Sequence, residues 1–170
     1  MFVLGVDPGL TRCGFGLIEG NFDGVESFRA VRAGTIETSP ETPVEIRLRE
    51  LHVELASLIA ETNPDAVVVE RVFYQRNART AIPVAQASGV AVALAGSNGR
   101  AVRQFTAQEV KLAVTGYGAA SKIQVQGMVA RLCGLADIPR PADAADALAL
   151  AIAYFMIVRS ERRLNAGSMS

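Results

Sequence analysis

The stretch Phe2-Val3-Leu4-Gly5-Val6-Asp7-Pro8-Gly9 gives the strongest indication of the fold. Its apolar run is typical of a buried strand, and Pro8-Gly9 predicts a sharp turn directly after Asp7. Residues Gly14–Glu19 are expected to form the partner strand across that turn, and Phe28–Glu37 a third strand. The chain therefore opens with a predicted antiparallel unit of three strands.

Helical and strand patterns alternate after this unit. Apolar residues recur at helical spacing from Pro43 to Thr62, and Asn63-Pro64 ends that helix because the residue before a proline disfavours helical geometry. The later predicted elements are, in order, a buried strand at Ala66–Val69, a helix within Thr80–Gly99, a strand at Ala101–Phe105, helices beginning at the capping-box sequences Thr106-Ala-Gln-Glu109 and Ser121-Lys-Ile-Gln124, and a last helix from near Ala142 to about Arg159. This order predicts an α/β fold of the ribonuclease-H-like type, with a five-stranded mixed sheet flanked by helices.

The length of 170 residues fits one domain, expected over residues 1–158, with a polar and disordered tail at residues 159–170. The segment Thr80–Gly99 carries no charge, but Pro83, Gln86 and many small residues favour a buried or dimer-forming helix over a membrane span. Cys13 and Cys133 show no pairing pattern, and no basic segment precedes the first strand. We therefore expect a cytoplasmic protein without membrane association.

The charged residues are unevenly distributed although the formal net charge is zero. Residues 1–70 hold 12 acidic and 5 basic side chains, whereas residues 71–131 hold 8 basic side chains and one acidic side chain, that of Glu109. Such segregation can create a positive face that attracts a phosphate backbone. The alternative is that segregation along the sequence does not survive in the folded protein.

Two carboxylates each end a hydrophobic strand, Asp7 after Val3–Val6 and Glu70 after Val67–Val69. If these strands are parallel neighbours, both side chains emerge at the same carboxyl edge of the sheet, where open α/β sheets bind ligands. A carboxylate in such a position is costly to desolvate unless a cation or a hydrogen-bond donor compensates it. Taken singly, each could also be an ordinary turn residue.

Asp143 and Asp146 add a second pair of carboxylates, spaced three residues apart in the first turn of the last helix. Helix capping is the alternative explanation for this pair. No lysine or arginine stands beside any of the four acids in an obvious pairing position, and a His/Cys set suited to zinc is missing, since His52 is the single histidine. Carboxylate oxygens suit Mg²⁺ or Mn²⁺, so together the four acids predict a metal centre.

Several motifs closely resemble the RuvC family of bacterial Holliday-junction resolvases, from Met1 to about Val158. The motifs that carry the resemblance are Gly5-Val-Asp7-Pro-Gly9, Val69-Glu70-Arg-Val-Phe73-Tyr-Gln-Arg-Asn77, Gln86-Ala-Ser-Gly89-Val-Ala, Lys122-Ile-Gln-Val-Gln126 and Ala142-Asp143-Ala-Ala-Asp146-Ala-Leu-Ala. The resemblance implies a homodimeric endodeoxyribonuclease of recombination and DNA repair. Such an enzyme makes paired symmetric nicks in a four-way junction and works with the RuvA–RuvB branch-migration complex.

The resemblance also implies roles for individual residues. Asp7, Glu70, Asp143 and Asp146 match the metal-binding acids, Phe73 matches an aromatic that stacks near the opened junction centre, and Lys111 and Lys122 match basic positions near the scissile backbone. The segment from Arg71 to Arg79 interleaves basic and aromatic residues, which suits backbone contact and base stacking, although a surface loop with incidental charge is the alternative. We expect DNA contacts from Phe73, Tyr74, Arg76, Asn77 and Arg79 in this segment.

Phosphodiester hydrolysis explains why four acids would cluster. Two Mg²⁺ or Mn²⁺ ions per active site would activate water and stabilise the leaving oxygen, and four carboxylates would offset their charge. We expect Asp7 to bridge the ions and Lys122 to stabilise charge on the phosphate. Three other functions stay open: a phosphotransferase of the actin and sugar-kinase type, which needs a second domain; a nuclease for RNA–DNA hybrids; and a non-catalytic junction-binding module.

Overall fold

The structure is a computed structural model that describes residues 1–22, 27–71 and 78–167, with the backbone alone for residues 78–80 and 167. The strands of this part are β1 (Phe2–Asp7), β2 (Arg12–Glu19), β3 (Arg29–Glu37), β4 (Ala66–Glu70) and β5 (Ala101–Phe105). The helices are α1 (Val44–Thr62), α2 (Ala78–Ser97), α3 (Ala107–Thr115), α4 (Lys122–Leu132) and α5 (Ala142–Gly167).

The five strands form one mixed sheet in the order β3-β2-β1-β4-β5. The first three strands pair antiparallel, whereas β4 runs parallel to both β1 and β5. The mixed five-stranded sheet predicted from the sequence is therefore confirmed. β4 lies between β1 and β5, and Val67, Val68 and Val69 are fully buried because helices cover both faces of the sheet.

Alternate strand residues supply two separate hydrophobic cores. On one face, Val3 and Val68 pack in a cluster that includes Leu148 and Ile152 of α5 and residues of α3 and α4. On the other face, Leu4, Val6, Val67 and Val69 pack with residues of α1 and α2, among them Leu51, Leu55, Ala87 and Ala91. The sheet is thus the middle layer, and α5 lies directly against β1 and β2.

Close approach of α5 to the sheet depends on glycine at two strand positions. A Cβ added at Gly5 would overlap the carbonyl oxygen of Ala147, and one added at Gly14 would overlap that of Asp143. The facing residues of α5 are small, since Ala144, Ala147 and Ala151 are fully buried. These contacts set the depth at which the first turn of α5 meets the ends of the strands.

Two predicted capping boxes are confirmed. Thr106 accepts a hydrogen bond from the backbone of Glu109 at the start of α3, and Ser121 accepts one from the backbone of Gln124 at the start of α4, each with the reciprocal bond. Asn63 adopts a left-handed conformation with φ 44° and ends α1, and the following proline disfavours a continuation of the helix.

The predicted end of the last helix near Arg159 is wrong, because α5 continues to Gly167. The expectation of a disordered tail is therefore incorrect for the stretch up to that residue. Contacts with distant residues stabilise the extension. Glu161 accepts a hydrogen bond of 2.6 Å from Arg103, and the guanidinium of Arg162 lies 4.0 Å from the ring centroid of Phe22. Within the described ranges, no helix is long and apolar enough to cross a membrane.

Candidate active site

Asp7 and Glu70 lie side by side at the carboxyl edge of the sheet. β1 and β4 are parallel neighbours, and Val6 is paired with Val69 in the register, so the next residue of each strand is an acid at the same edge. The two carboxyl groups interact closely, since the charge of Glu70 and a hydrogen bond with it both raise the pKa of Asp7. The juxtaposition expected from the strand ends is therefore present in the structure.

The first turn of α5 brings Asp143 and Asp146 to the same place. One carboxylate oxygen from each of Asp7, Asp143 and Asp146 lies within 4.8 Å of the other two. All three residues are partly buried. Glu70 joins this group through its hydrogen bond to Asp7. Carboxylate oxygens from several residues are the ligands that a hard divalent cation such as Mg²⁺ prefers.

The position of Asp143 bears on the capping alternative. α5 begins at Ala142, which makes Asp143 its second residue and places it inside the helix rather than at the capping position that precedes it. A carboxylate in the first turn still interacts favourably with the helix dipole. Its side chain nevertheless faces Asp7 and Asp146, so Asp143 belongs to the acidic cluster.

The cluster raises the pKa of the Asp7 carboxyl to about 8. Burial is the largest cause, because it disfavours the charged form. The negative charge of Glu70 and the hydrogen bond with it come next, followed by the charges of Asp146 and Asp143. Without a compensating cation, the Asp7 carboxyl is therefore mostly protonated at neutral pH.

Two of the four acids have cationic partners, which corrects the expectation that all four lack them. Lys122 Nζ lies 2.5 Å from Asp146 Oδ2, and Arg12 Nη1 lies 3.7 Å from Asp143 Oδ2. The hydrogen bond with Asp146 is the main reason why the pKa of Lys122 is raised. These partners come from α4 and β2, far from α5 in sequence, so inspection of neighbouring sequence positions missed them.

A second donor on α4 also reaches Asp146. The Gln126 amide nitrogen Nε2 donates to Asp146 Oδ1 at 3.3 Å. Gln126 is 8% exposed, and it stands one helical turn after Lys122. No role was predicted for Gln126 or for Arg12. The sequence did hold one indication for Gln126: it follows Lys122 by four residues, so the two side chains share one face of a helix, and Lys122 was expected at the site.

A cavity of about 220 Å³ opens beside the acids. Glu70 and Asp146 line it together with Lys111 and Lys122, so the structure brings both predicted lysines to the acidic cluster. The rest of its wall is apolar and includes Val110, Val125 and Leu150. An anionic group in this cavity would meet two ammonium groups next to the carboxylates.

The predicted aromatic and basic segment falls mostly outside the described residues. Phe73, Tyr74, Arg76 and Asn77 lie outside them, and so does the side chain of Arg79. Arg71 is described, and its guanidinium donates to the Gln104 carbonyl oxygen at 3.1 Å, next to the end of β5. Arg71, the first residue of this segment, therefore lies at the edge of the sheet where the acids meet.

Comparison with known proteins agrees with this geometry. The family model described as "Crossover junction endodeoxyribonuclease RuvC" matches residues 3–154. A protein of that name from Salinispora arenicola is 48% identical over 99% of this chain and 95% of its own length. Another, from Leifsonia xyli, is 51% identical over 89% of this chain and 72% of its own length.

The fold agrees with solved structures as well. The structure titled "T. thermophilus RuvC in complex with Holliday junction substrate" superimposes with a TM-score of 0.89 at 33% identity, covering 95% of this chain and 96% of that one. The ribonuclease-H-like fold class is thereby confirmed. On the extent of the family match and the identity of these relatives, this chain belongs to the RuvC family of crossover junction endodeoxyribonucleases.

Proposed function

We propose that this protein resolves four-way (Holliday) DNA junctions by paired symmetric nicks, in homologous recombination and DNA repair. The observation that carries the proposal is the convergence of Asp7, Asp143 and Asp146 at one edge of the sheet, with the carboxyl of Glu70 beside Asp7. The chain that carries this cluster belongs to the RuvC family. The match to a structure that holds a Holliday junction substrate supports the choice of substrate.

We infer that the four acids hold two Mg²⁺ or Mn²⁺ ions per active site. The donor set fits, since it consists of carboxylate oxygens. The raised pKa of Asp7 results from burial and from the negative charge of the neighbouring acids, and a cation would compensate both effects. When bound, divalent ions in such a site lower the pKa of water and stabilise the oxygen that leaves. Asp7, at the centre of the cluster, is the proposed bridging ligand.

Lys111 and Lys122 are the proposed contacts to the scissile strand. Both line the cavity beside the acids, where a phosphate would be attracted by their ammonium groups. Lys122 would hold the phosphate while charge develops on its oxygens. The apolar wall of the cavity lowers the local dielectric constant, which strengthens this interaction.

The segment that follows Glu70 is proposed to engage the junction centre. Arg76 and Arg79 would contact backbone phosphates, Asn77 would add a polar contact, and Phe73 and Tyr74 would stack on unpaired bases. Support comes from the sequence, which interleaves these residue types, and from the position of Glu70 at the active edge of the sheet.

A homodimer is proposed because symmetric nicking requires two active sites. The interface would use α2, within the predicted range Thr80–Gly99. An open groove between α1 and α2 supports this choice: it is lined by Leu48, Val90, Ala93 and Leu94, and Ile82 of the same helix is 54% exposed. The resemblance to the family further implies the RuvA–RuvB complex as a partner and the cytoplasm as the place of action.

The deciding experiment is cleavage of a synthetic mobile four-way junction in the presence of Mg²⁺ or Mn²⁺, mapped at nucleotide resolution. The expected result is two nicks at symmetric positions in strands of like polarity, with no cleavage in EDTA. An RNA–DNA hybrid should compete poorly with the junction. Preferential cleavage of the hybrid, or junction binding with no cleavage under any metal condition, would refute the proposal.

A further inference from the structure

Gln126 is a polar side chain buried next to the acidic cluster. It is 8% exposed, and it shares the inner side of α4 with the core residues Val125 and Val129. Burial of an amide is unfavourable unless the amide forms hydrogen bonds. Gln126 forms one with the carboxylate of Asp146, at 3.3 Å from Nε2 to Oδ1. The position of this amide therefore bears directly on the orientation of Asp146.

The two oxygens of Asp146 are bound by two donors from the same helix. Lys122 Nζ lies 2.5 Å from Oδ2, and Gln126 Nε2 lies 3.3 Å from Oδ1. Residues four positions apart share one face of a helix, so α4 contacts both oxygens of the Asp146 carboxylate. The capping box of Ser121 and the burial of Val129 fix α4 in place.

These two donors differ in how they respond to a cation. The ammonium of Lys122 compensates the negative charge of Asp146, and a divalent cation competes for the same oxygen and the same charge. The neutral amide of Gln126 occupies one oxygen but leaves the charge uncompensated. A cation that binds Oδ2 can therefore replace Lys122 while the bond to Gln126 persists.

We propose that Gln126 is a positioning residue that orients Asp146 through Oδ1, so that Oδ2 can pass from the Lys122 ammonium to a divalent cation. This role rests on the proposed function of the acids as metal ligands. In this exchange the Lys122 side chain would be released from Asp146 beside the cavity that it lines with Lys111. Binding of the cation would thus free the ammonium to contact a phosphate.

The test measures Mn²⁺ binding without DNA, by the electron paramagnetic resonance signal of free Mn²⁺. Gln126→Met keeps the length of the side chain and removes the donor, whereas Gln126→Asn keeps the amide and shortens its reach. We expect each variant to raise the dissociation constant for Mn²⁺ by about tenfold or more, as loss of a hydrogen bond to a metal ligand does. Circular dichroism shows which variants are folded, and either one suffices for the test.

The matched control is Ser121→Ala, which weakens α4 by about 1 kcal/mol at its capping residue and removes no contact to Asp146. It should bind Mn²⁺ like the parent. Equal loss of affinity in Ser121→Ala would show that any weakening of α4 has the same effect, and unchanged affinity in any folded Gln126 variant would equally refute the proposal.

The parent titration separates this role from the proposed function. A parent protein that binds no Mn²⁺ would refute the metal assignment and the role of Gln126 with it. A parent that binds Mn²⁺ and loses it on Asp7→Asn, with Gln126 variants that bind normally, would refute the positioning role alone.

Discussion

Gly14 of β2 lies directly against Asp143 of α5, so closely that a Cβ at position 14 would overlap the Asp143 carbonyl oxygen. The strand backbone thus serves as the surface on which the first turn of α5 rests. That turn carries two of the four acids, whereas Asp7 ends the adjacent strand. Gly14, which is paired with Asp7 in the register of β1 and β2 and had no predicted role, therefore sets how closely the carboxylates approach each other.

Gly14→Ala is expected to destabilise the protein by about 1–3 kcal/mol, because overpacking against backbone cannot be relieved by a side-chain rotation. Displacement of the turn should also weaken Mn²⁺ binding. Gly127→Ala is the control, since a Cβ there meets nothing within 4 Å; in a helix it should stabilise by roughly 0.5–1 kcal/mol. Urea unfolding measures the stability of both variants. A Gly14→Ala protein as stable as the parent would contradict the close contact.

Asp7→Asn is expected to abolish junction cleavage. The cleavage rate should fall by more than the roughly hundredfold that is typical when a residue supporting a metal ligand is replaced. Asparagine keeps the size of the side chain but removes the charge that a cation requires. Junction binding should be largely retained, as measured by gel retardation in Ca²⁺ or EDTA. Cleavage at close to the parent rate would disprove the metal assignment.

The raised pKa of Asp7 predicts a pH-dependent stability of the metal-free protein. Between the ordinary value near 4 and about 8, the folded state keeps a proton that the unfolded chain has released, so stability falls as pH rises. The slope is at most about 1.4 kcal/mol per pH unit for one proton, and it ends above about pH 8.

Urea unfolding in EDTA at pH 6, 7 and 8 measures this slope. Asp7→Asn should lose it, because asparagine does not titrate, and should therefore gain stability relative to the parent as pH rises. Parallel pH profiles for the two proteins would show that Asp7 does not carry the proton.

Lys122→Gln is expected to lower the cleavage rate by about 10²–10³-fold, the usual effect of removing a group that stabilises transition-state charge. Arg131→Gln is the matched control: it removes a positive charge from the same helix, at an exposed position in its last turn. Single-turnover cleavage of a saturating junction separates this effect from weaker binding. Equal losses in the two variants would indicate a general electrostatic effect of α4.

Phe73→Ala is expected to keep Mn²⁺ binding and to resolve junctions poorly. Loss of one stacking contact costs about 1–3 kcal/mol per base. The opened form of the bound junction would be destabilised by this amount. Fluorescence of 2-aminopurine at the junction centre measures the opening. A normal fluorescence increase on binding of Phe73→Ala would remove the stacking role.

Local patterns predicted most of the elements. The strands at Phe2–Asp7 and Ala101–Phe105 have the predicted bounds, and both capping boxes form as their sequences indicate. The end of α5 was missed because Arg162 and Glu161 contact Phe22 and Arg103, which are distant in the sequence. A polar segment can be helical when tertiary contacts compensate its weak intrinsic preference.

The sequence by itself determined which four acids to consider as a metal site, because a carboxylate at the end of a buried strand and a pair on one helical turn are local features. It also indicated the family, through motifs that keep their order and spacing. Only the tertiary structure decided what surrounds the acids: Lys122 and Gln126 on the two oxygens of Asp146, Arg12 beside Asp143, and Gly14 beneath the turn. These contacts join residues far apart in the chain, and their distances depend on how α4 and α5 pack on the sheet, which no local pattern specifies.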